Sequence, residues 1–290
     1  MYEREIAGDA HPSRRRRREI AMTGKDHYYN KAKQEGYRAR SAYKLQQLDD
    51  LEGLIDRGDT VLDLGAAPGG WLQVAAERVG PEGTVIGVDF QRIDGFDDEI
   101  DDRIETLRGD VTEAKTLDRI RRAAGASDGE SNGERGAVDV VLSDMAPNVT
   151  GEYSLDQARS LHLARTASEV ALELLETGGT FAAKVFEGPD VDDFRADLED
   201  EFQYVRATVP KATRDESSEL YLLGIGRLTA PVSAGDEHEV EIVDTGSEGD
   251  GIATVEGFRL FVPDAEPGET VRVRVDDVKP HFGFAERIDD

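Results

Sequence analysis

From Asp59 onward the chain alternates short apolar runs with segments whose apolar residues recur at helical spacing. Thr60-Val61-Leu62-Asp63-Leu64 reads as a buried strand, Trp71 to Val79 as a helix, and Thr84-Val85-Ile86-Gly87-Val88 as a second strand. Repetition of this unit predicts an α/β domain with a mostly parallel sheet and helices on both faces. Further strands are expected at Ile104–Leu107, Val138–Leu142, Thr180–Val185, Tyr204–Val209 and Leu220–Ile225, with helices at about 113–123, 154–176 and 190–200. The last two strands follow each other without a helix, which predicts an antiparallel pair at the sheet edge. Gly125–Gly136 is rich in Gly, Ser, Asp and Asn and reads as a surface loop. After Pro231 the rhythm changes to short runs at Glu239–Val243, Gly251–Val255, Phe258–Val262 and Thr270–Val275, separated by turn residues. A small all-β barrel fits this pattern, with Pro231-Val232-Ser233-Ala234-Gly235 as the linker.

Charge changes the picture at both ends. The formal net charge is −27, yet residues 1–44 carry 12 Lys/Arg against 6 Asp/Glu. The chain is basic first and acidic after. Acid spread along the whole chain, with Arg supplying most of the positive charge, predicts a protein kept soluble in high salt, where repulsion is screened over a few Å. Residues 1–24 include the run Arg14 to Arg18 without apolar periodicity and are expected to form a disordered arm. There is no Cys, which excludes disulfides and thiolate chemistry, and the 5 His form no HxxxH pair, so no metal is predicted. No apolar run approaches the roughly 20 residues of a membrane helix, so no membrane association is expected, and a soluble, cytoplasmic protein is.

Asp63-Leu64-Gly65-Ala66-Ala67-Pro68-Gly69-Gly70-Trp71 is a glycine-rich turn between a buried strand and a helix, where a doubly wound sheet binds nucleotide-like ligands. A dinucleotide-binding fingerprint GxGxxG is absent, and Pro68 stands where the helix would begin, which shortens a phosphate cradle. S-adenosylmethionine, which has no phosphate, fits such a turn. Asp89 closes the next strand some 20 residues on and is expected to accept ribose hydroxyls. Asp110 follows the third strand and is a candidate acceptor for the adenine amino group, against the ordinary turn or capping role of such an Asp.

Ser143-Asp144-Met145-Ala146-Pro147-Asn148 closes the fourth strand at the carboxyl edge. Amino-methylating sites carry an aromatic residue where Asn148 stands, so a ribose hydroxyl is the better target than a base nitrogen. An alcohol loses its proton as the new bond forms, so a general base is required. Lys184 ends the strand Phe181–Phe186 and is the candidate, because burial, a second lysine and a sulfonium charge together favour a neutral amine. Lys44, in the amphipathic helix expected around Arg38–Leu45, is the candidate second lysine. Glu219 begins the last strand and, with Asp144, is expected to orient the lysines and the substrate. Read by position alone, Lys44 and Glu219 fit a solvated helix charge and a surface strand end better than a role in catalysis.

These stretches resemble the FtsJ/RlmE ribose 2′-O-methyltransferases. The likeness lies in Gly24-Lys25-Asp26-His27-Tyr28-Tyr29, Tyr37–Leu45, Asp63–Trp71, Ser143–Asn148, Ala183-Lys184-Val185-Phe186 and Ser218-Glu219-Leu220-Tyr221, and it covers about 25–227. It implies a Rossmann-like class I methyltransferase domain and a Lys-Asp-Lys-Glu tetrad on Lys44, Asp144, Lys184 and Glu219, with Lys184 as proton acceptor. It further implies S-adenosylmethionine contacts at Gly69, Trp71, Asp89, Asp110 and Asp144. The acceptor it implies is a uridine ribose in 23S rRNA of the large (50S) ribosomal subunit; related branches modify tRNA instead, and a non-catalytic RNA-binding assembly factor is the rival of another class. Residues 232–288 resemble a TRAM domain, an OB-like barrel of RNA-modifying enzymes, in Glu241-Ile242, Gly249–Ala253, Phe261-Val262-Pro263 and Gly268-Glu269. The resulting division is an arm over 1–24, a methyltransferase domain over 25–230 and a TRAM domain over 231–290, with no obligate protein partner. Of Phe258, Phe282 and Phe284, all candidates for base stacking, two are expected in the barrel core.

Overall fold

The computed structural model describes residues 27–125, 137–214 and 216–288. The arm at 1–24 and the expected loop beyond Gly125 lie outside the described residues. Seven strands form the larger sheet in the order β3-β2-β1-β4-β5-β7-β6. They are β1 (Thr60–Leu64), β2 (Thr84–Asp89), β3 (Ile104–Arg108), β4 (Val138–Ser143), β5 (Leu175–Phe186), β6 (Phe202–Thr208) and β7 (Glu219–Arg227). β7 runs antiparallel to both β5 and β6, so the expected antiparallel pair is present, with β6 at the edge and β7 inserted beside β5.

Strand alternation sends successive residues to opposite faces, and helices cover each face. On one side Val61, Val140, Leu142, Ala182, Tyr221 and Leu223 pack against α2 (Ala42–Glu52) and α3 (Gly70–Val79). On the other, Leu62, Val141, Phe181, Ala183 and Leu222 pack against α5 (Ala114–Ala123), α6 (Tyr153–Leu174) and α7 (Val191–Glu199). The remaining helical segments are α1 over 27–35 and the short α4 (Asp98–Asp101). Leu45 and Leu48 of α2 are fully buried, and each contributes about 1.5–3 kcal/mol to holding that helix on the sheet. Two boundaries differ from expectation. The helix expected around Arg38–Leu45 starts at Ala42 and leaves Arg38 and Arg40 in the turn before it. β5 begins at Leu175 directly after α6, because Gly178-Gly179 masks a strand that continues through it.

The C-terminal sheet has the order β8-β12-β13-β11-β10-β9. Its strands are β8 (Glu237–Glu241), β9 (Asp244–Thr245), β10 (Gly251–Val255), β11 (Phe258–Val262), β12 (Thr270–Val278) and β13 (Phe282–Arg287). β8 pairs with β12 while β9, three residues later, pairs with β10, so one bent stretch joins both margins and curls the sheet toward a barrel. β13 escapes the sequence pattern because Pro280 and Gly283 flank and interrupt it. The core expectation for the phenylalanines is corrected. Phe258 packs on the barrel core, whereas Phe282 and Phe284 lie on the outer face with Phe261, in contact at centroid distances of 5.6–5.9 Å. Alternation explains this, since Leu260, Gly283 and Ala285 take the inward positions.

Pro280 and His281 meet the larger domain beside Gly178 and Gly226, where a Cβ at Gly178 would come 3.4 Å from His281 Nε2. Gly178 is six residues before Lys184 on β5, so the barrel touches the sheet about 20 Å from that lysine, near the opposite edge.

Candidate active site

The register of β5 on β7 places Lys184 opposite Tyr221 and Phe186 opposite Glu219. Lys184, Tyr221 and Glu219 therefore point to the face covered by α2, which carries Lys44. Lys184 is 5% exposed, and its Nζ donates to the Asp144 carbonyl oxygen at 2.6 Å and to Asp144 Oδ1 at 2.9 Å. Asp144 Oδ1 also accepts the Tyr221 hydroxyl at 2.7 Å. Burial, and then the charge of Asp144, push the Tyr221 phenol well above its usual value, so it stays a donor. Lys44 Nζ meets Glu219 Oε2 at 2.5 Å and sits 5.6 Å from the Tyr221 ring centroid. The four residues expected as a tetrad thus come together as two lysine–carboxylate pairs joined by Tyr221. Tyr221 received no role from the sequence, although its spacing of two from Glu219 was a usable signal.

A cavity of about 750 Å³ opens on one side of Asp144. Asp89 and Asp144 line it with Gly65, Phe90, Gln91, Gly109, Val111, Met145, Arg159 and His162. Gly65 lies at φ +78°, and a Cβ there would come 2.6 Å from Met145, so only glycine lets the two strand-end loops meet. Asp89 Oδ2 accepts the Ala67 amide at 3.0 Å and its Oδ1 accepts Gln91 N–H at 2.7 Å, which leaves lone pairs free toward the cavity. Gly69 and Trp71 are not on the cavity wall. Trp71 is buried, donates Nε1 to the Ser41 carbonyl at 2.8 Å and packs on Tyr221. Asp110 lies between the lining residues Gly109 and Val111, with Oδ1 accepting from the Thr112 amide and hydroxyl; those bonds hold its carboxyl below the usual range. Phe90, Arg159 and His162 were missed by sequence reading, the last two because they sit on α6 outside any motif.

Asp63 stands out behind this cavity. It is 1% exposed, and neither carboxylate oxygen has a hydrogen-bond partner among the described residues. Burial, then Asp144 and Asp89, raise its carboxyl well above the ordinary range. Two acidic side chains on the cavity wall, Asp89 and Asp144, backed by the buried Asp63 carboxyl, form a site suited to a positively charged ligand. Among the described residues no group of three or more His, Asp or Glu is arranged to hold a metal ion, and no helix is long and apolar enough to cross a membrane.

A second cavity, of about 440 Å³, is lined by Arg40, Ser41, Lys44, Arg214, Glu216, Ser217 and Glu219. Arg40 Nη2 donates to the Ala212 carbonyl at 2.6 Å. Burial, and then the neighbouring Arg214, lower the Arg40 guanidinium from its usual value. Two like charges facing one polar cavity suit an anionic ligand. The arrangement can hold a cationic small molecule in the cavity at Asp144 and an anionic chain in the cavity at Lys44, with the buried Lys184 amine bonded to Asp144.

Known families and proteins resemble this sequence over most of its length. The model of the FtsJ-like methyltransferase family matches residues 37–227, and that of the TRAM domain matches residues 231–288. A Haloarcula marismortui protein named ribosomal RNA large subunit methyltransferase E is 61% identical over 268 residues, covering 92% of this chain and 100% of the relative. A Methanothrix thermoacetophila protein of the same name is 46% identical over 266 residues, covering 92% of this chain and 98% of the relative. A crystal structure from Plasmodium falciparum, titled as a ribosomal RNA methyltransferase, aligns with a TM-score of 0.55 at 25% identity and covers 66% of this chain and 98% of that one. With the family model spanning most of the larger domain and relatives this similar over nearly their whole length, the chain belongs to the FtsJ-like methyltransferase family.

Proposed function

We propose that the chain transfers the methyl group of S-adenosylmethionine to the 2′-hydroxyl of a uridine ribose in 23S rRNA of the large ribosomal subunit, in the cytoplasm. The observation that carries this reading is Lys184, a buried amine at a strand tip held by Asp144, which lines the 750 Å³ cavity, while the Lys44–Glu219 pair lines the second cavity. The names of the relatives support an rRNA acceptor.

The cofactor fits the residues present. Asp89 and Asp144, both on the cavity wall, match a ligand carrying sulfonium and ammonium charges, with the unpartnered Asp63 carboxyl buried behind them. Asp89, Asp110 and Asp144 would hold it, with Gly69 and Trp71 shaping the turn beneath. When bound, S-adenosylmethionine supplies a methyl group on a positively charged sulfur, ready for in-line displacement. Lys184 accepts the ribose hydroxyl proton at Nζ as the hydroxyl oxygen attacks. Asp144 aims that amine through two acceptors, its carbonyl and Oδ1. Lys44, steadied by Glu219, faces the second cavity and orients the ribose. Arg40 and Arg214 take a flanking phosphate, since planar guanidinium forks match phosphate oxygens. The barrel adds RNA contact through the exposed Phe284 and its neighbours Phe261 and Phe282.

The test is methyl transfer from labelled S-adenosylmethionine, in molar salt, to ribosomal subunits and separately to bulk tRNA from a strain lacking the gene. Label in 2′-O-methyluridine of large subunits is the expected result. Label confined to tRNA would change the acceptor, and no label in either would favour a non-catalytic binding factor.

A further inference from the structure

Arg38 lies in the basic segment Tyr37–Lys44, where its charge alone reads as an RNA contact. Its surroundings differ from those of Arg40, two residues on. Arg38 Nη1 donates to the carbonyl oxygens of Asp94, at 2.7 Å, and Pro68, at 3.2 Å, and Nη2 donates to the Gly95 carbonyl. The guanidinium also lies over the Phe96 ring, 3.7 Å from its centroid. Pro68 belongs to the glycine-rich turn after β1, whereas Asp94, Gly95 and Phe96 belong to the loop after β2. One side chain therefore ties the two loops together.

We propose that Arg38 is a positioning residue for the cofactor side of the cleft, clamping the loop after β2 onto the glycine-rich turn, and that it is not an RNA phosphate contact. The inference rests on the cofactor reading above. The loop is held at its near end by Asp89, which accepts the amides of Ala67 and Gln91, and at its far end by Arg38. Phe90 and Gln91, between the two anchors, line the 750 Å³ cavity. Arg38 is itself fixed from below, because its amide donates to Gln73 Oε1 at 2.8 Å while Gln73 Nε2 donates to the Gly36 carbonyl at 3.0 Å. Gly69 shows how closely the clamp fits. It lies at φ +107°, and a Cβ there would come 2.8 Å from the Phe96 ring and 3.1 Å from Arg38 Nη1. A guanidinium spent on three carbonyls and one ring has little left for a phosphate. Arg40, with a single carbonyl bond and a polar cavity before it, is the internal contrast.

The test uses the full chain in molar KCl with Arg38→Gln, Arg38→Lys and, in case the first loosens the fold, Phe96→Leu. Three quantities are read: S-adenosylmethionine affinity by calorimetry, hydrogen exchange of the 90–97 amides in cofactor-free protein, and the KM for large subunits with its dependence on salt. Arg38→Gln is expected to weaken S-adenosylmethionine binding about 10-fold or more, as loss of charge-assisted bonds implies. It should speed exchange at 90–97 and leave the subunit KM within about twofold, because the RNA-side cavity is untouched. Arg38→Lys should rescue poorly, since an ammonium has no planar face to lay on Phe96. Phe96→Leu should act in the same direction and combine non-additively with Arg38→Gln. A raised subunit KM with a flatter salt dependence and unchanged S-adenosylmethionine affinity would overturn the proposal, as would unaltered exchange. Failure of the wild-type chain to bind S-adenosylmethionine would instead sink the cofactor reading, and this inference with it.

Discussion

At the carboxyl edge of the larger sheet charges are buried and converge, while on the C-terminal barrel they are mostly acidic and spread over the surface, with most of the few basic residues paired. Lys184, Lys44, Asp144, Glu219 and Asp63 come from four strand ends and one helix, and Asp63 has no partner at all among the described residues. In the barrel, Arg272 and Arg274 pair with Glu237 across β12 and β8, Lys279 with Asp277, and Arg287 with Glu269. Exposed pairs of this kind contribute little to stability and are screened by salt, whereas buried charges are costly to place and hold their geometry. The difference separates two tasks. The cleft has fixed charge suited to chemistry, and the barrel, contacting the sheet some 20 Å away, has an acidic, solvent-exposed surface with an aromatic face suited to docking.

The contrast can be broken most severely at Lys184. Lys184→Ala should lower kcat by about 10³-fold, within the range for loss of a general base, while S-adenosylmethionine affinity stays within a few-fold. Single-turnover assays with separate cofactor titration check this, and full activity would remove Lys184 from its role. Deleting residues 231–290 should act on the other task. The KM for large subunits should rise on the order of 10-fold, as loss of one or two stacked bases implies, with cofactor binding unchanged. A deletion that instead abolished cofactor binding would show the two regions to be one unit.

Tyr221→Phe sharpens the comparison inside the cleft, because it removes only the hydroxyl that Asp144 accepts. A drop in kcat of roughly 10-fold is expected, about the value of one hydrogen bond to a charged group, with subunit KM unchanged. The smallest effect concerns Asp63. Its folded carboxyl is raised, so the folded chain keeps a proton that the unfolded chain releases near pH ~3.9. The contribution of Asp63 to the stability of the cofactor-free protein should therefore be fully present below that pH and be lost as pH rises, until the folded carboxyl ionises. Asp63→Asn should flatten that slope in denaturation midpoints measured from pH 4 to 8, and an unchanged slope would mean the carboxylate is satisfied in solution.

Much of this was legible beforehand for identifiable reasons. The strands β1, β2 and β4 show as uninterrupted apolar runs because both their faces are covered by helices. Lys184, Asp144 and Glu219 were findable because each sits at a strand end, where a polar residue breaks the apolar pattern. What escaped detection lay where local pattern and fold disagree. Gly178-Gly179 concealed the first half of β5, and Pro280 and Gly283 concealed β13. Arg159 and His162 reach the cavity only because α6 crosses beside β4, and Arg38 received no role because its partners lie 30 to 57 residues away.

The sequence by itself determined the order of strands and helices, the change to a barrel after Pro231 and the residue types at the strand tips, since periodicity and turn chemistry are local properties of the chain. Only the tertiary structure decided that Tyr221 joins the two lysine pairs, that Asp63 is left without a partner among the described residues and that Arg38 bonds the loops after β1 and β2 while Arg40 lines the second cavity. Those outcomes depend on which atoms meet across segments up to 175 residues apart, as Lys44 and Glu219 do, and on how much water is excluded where they meet.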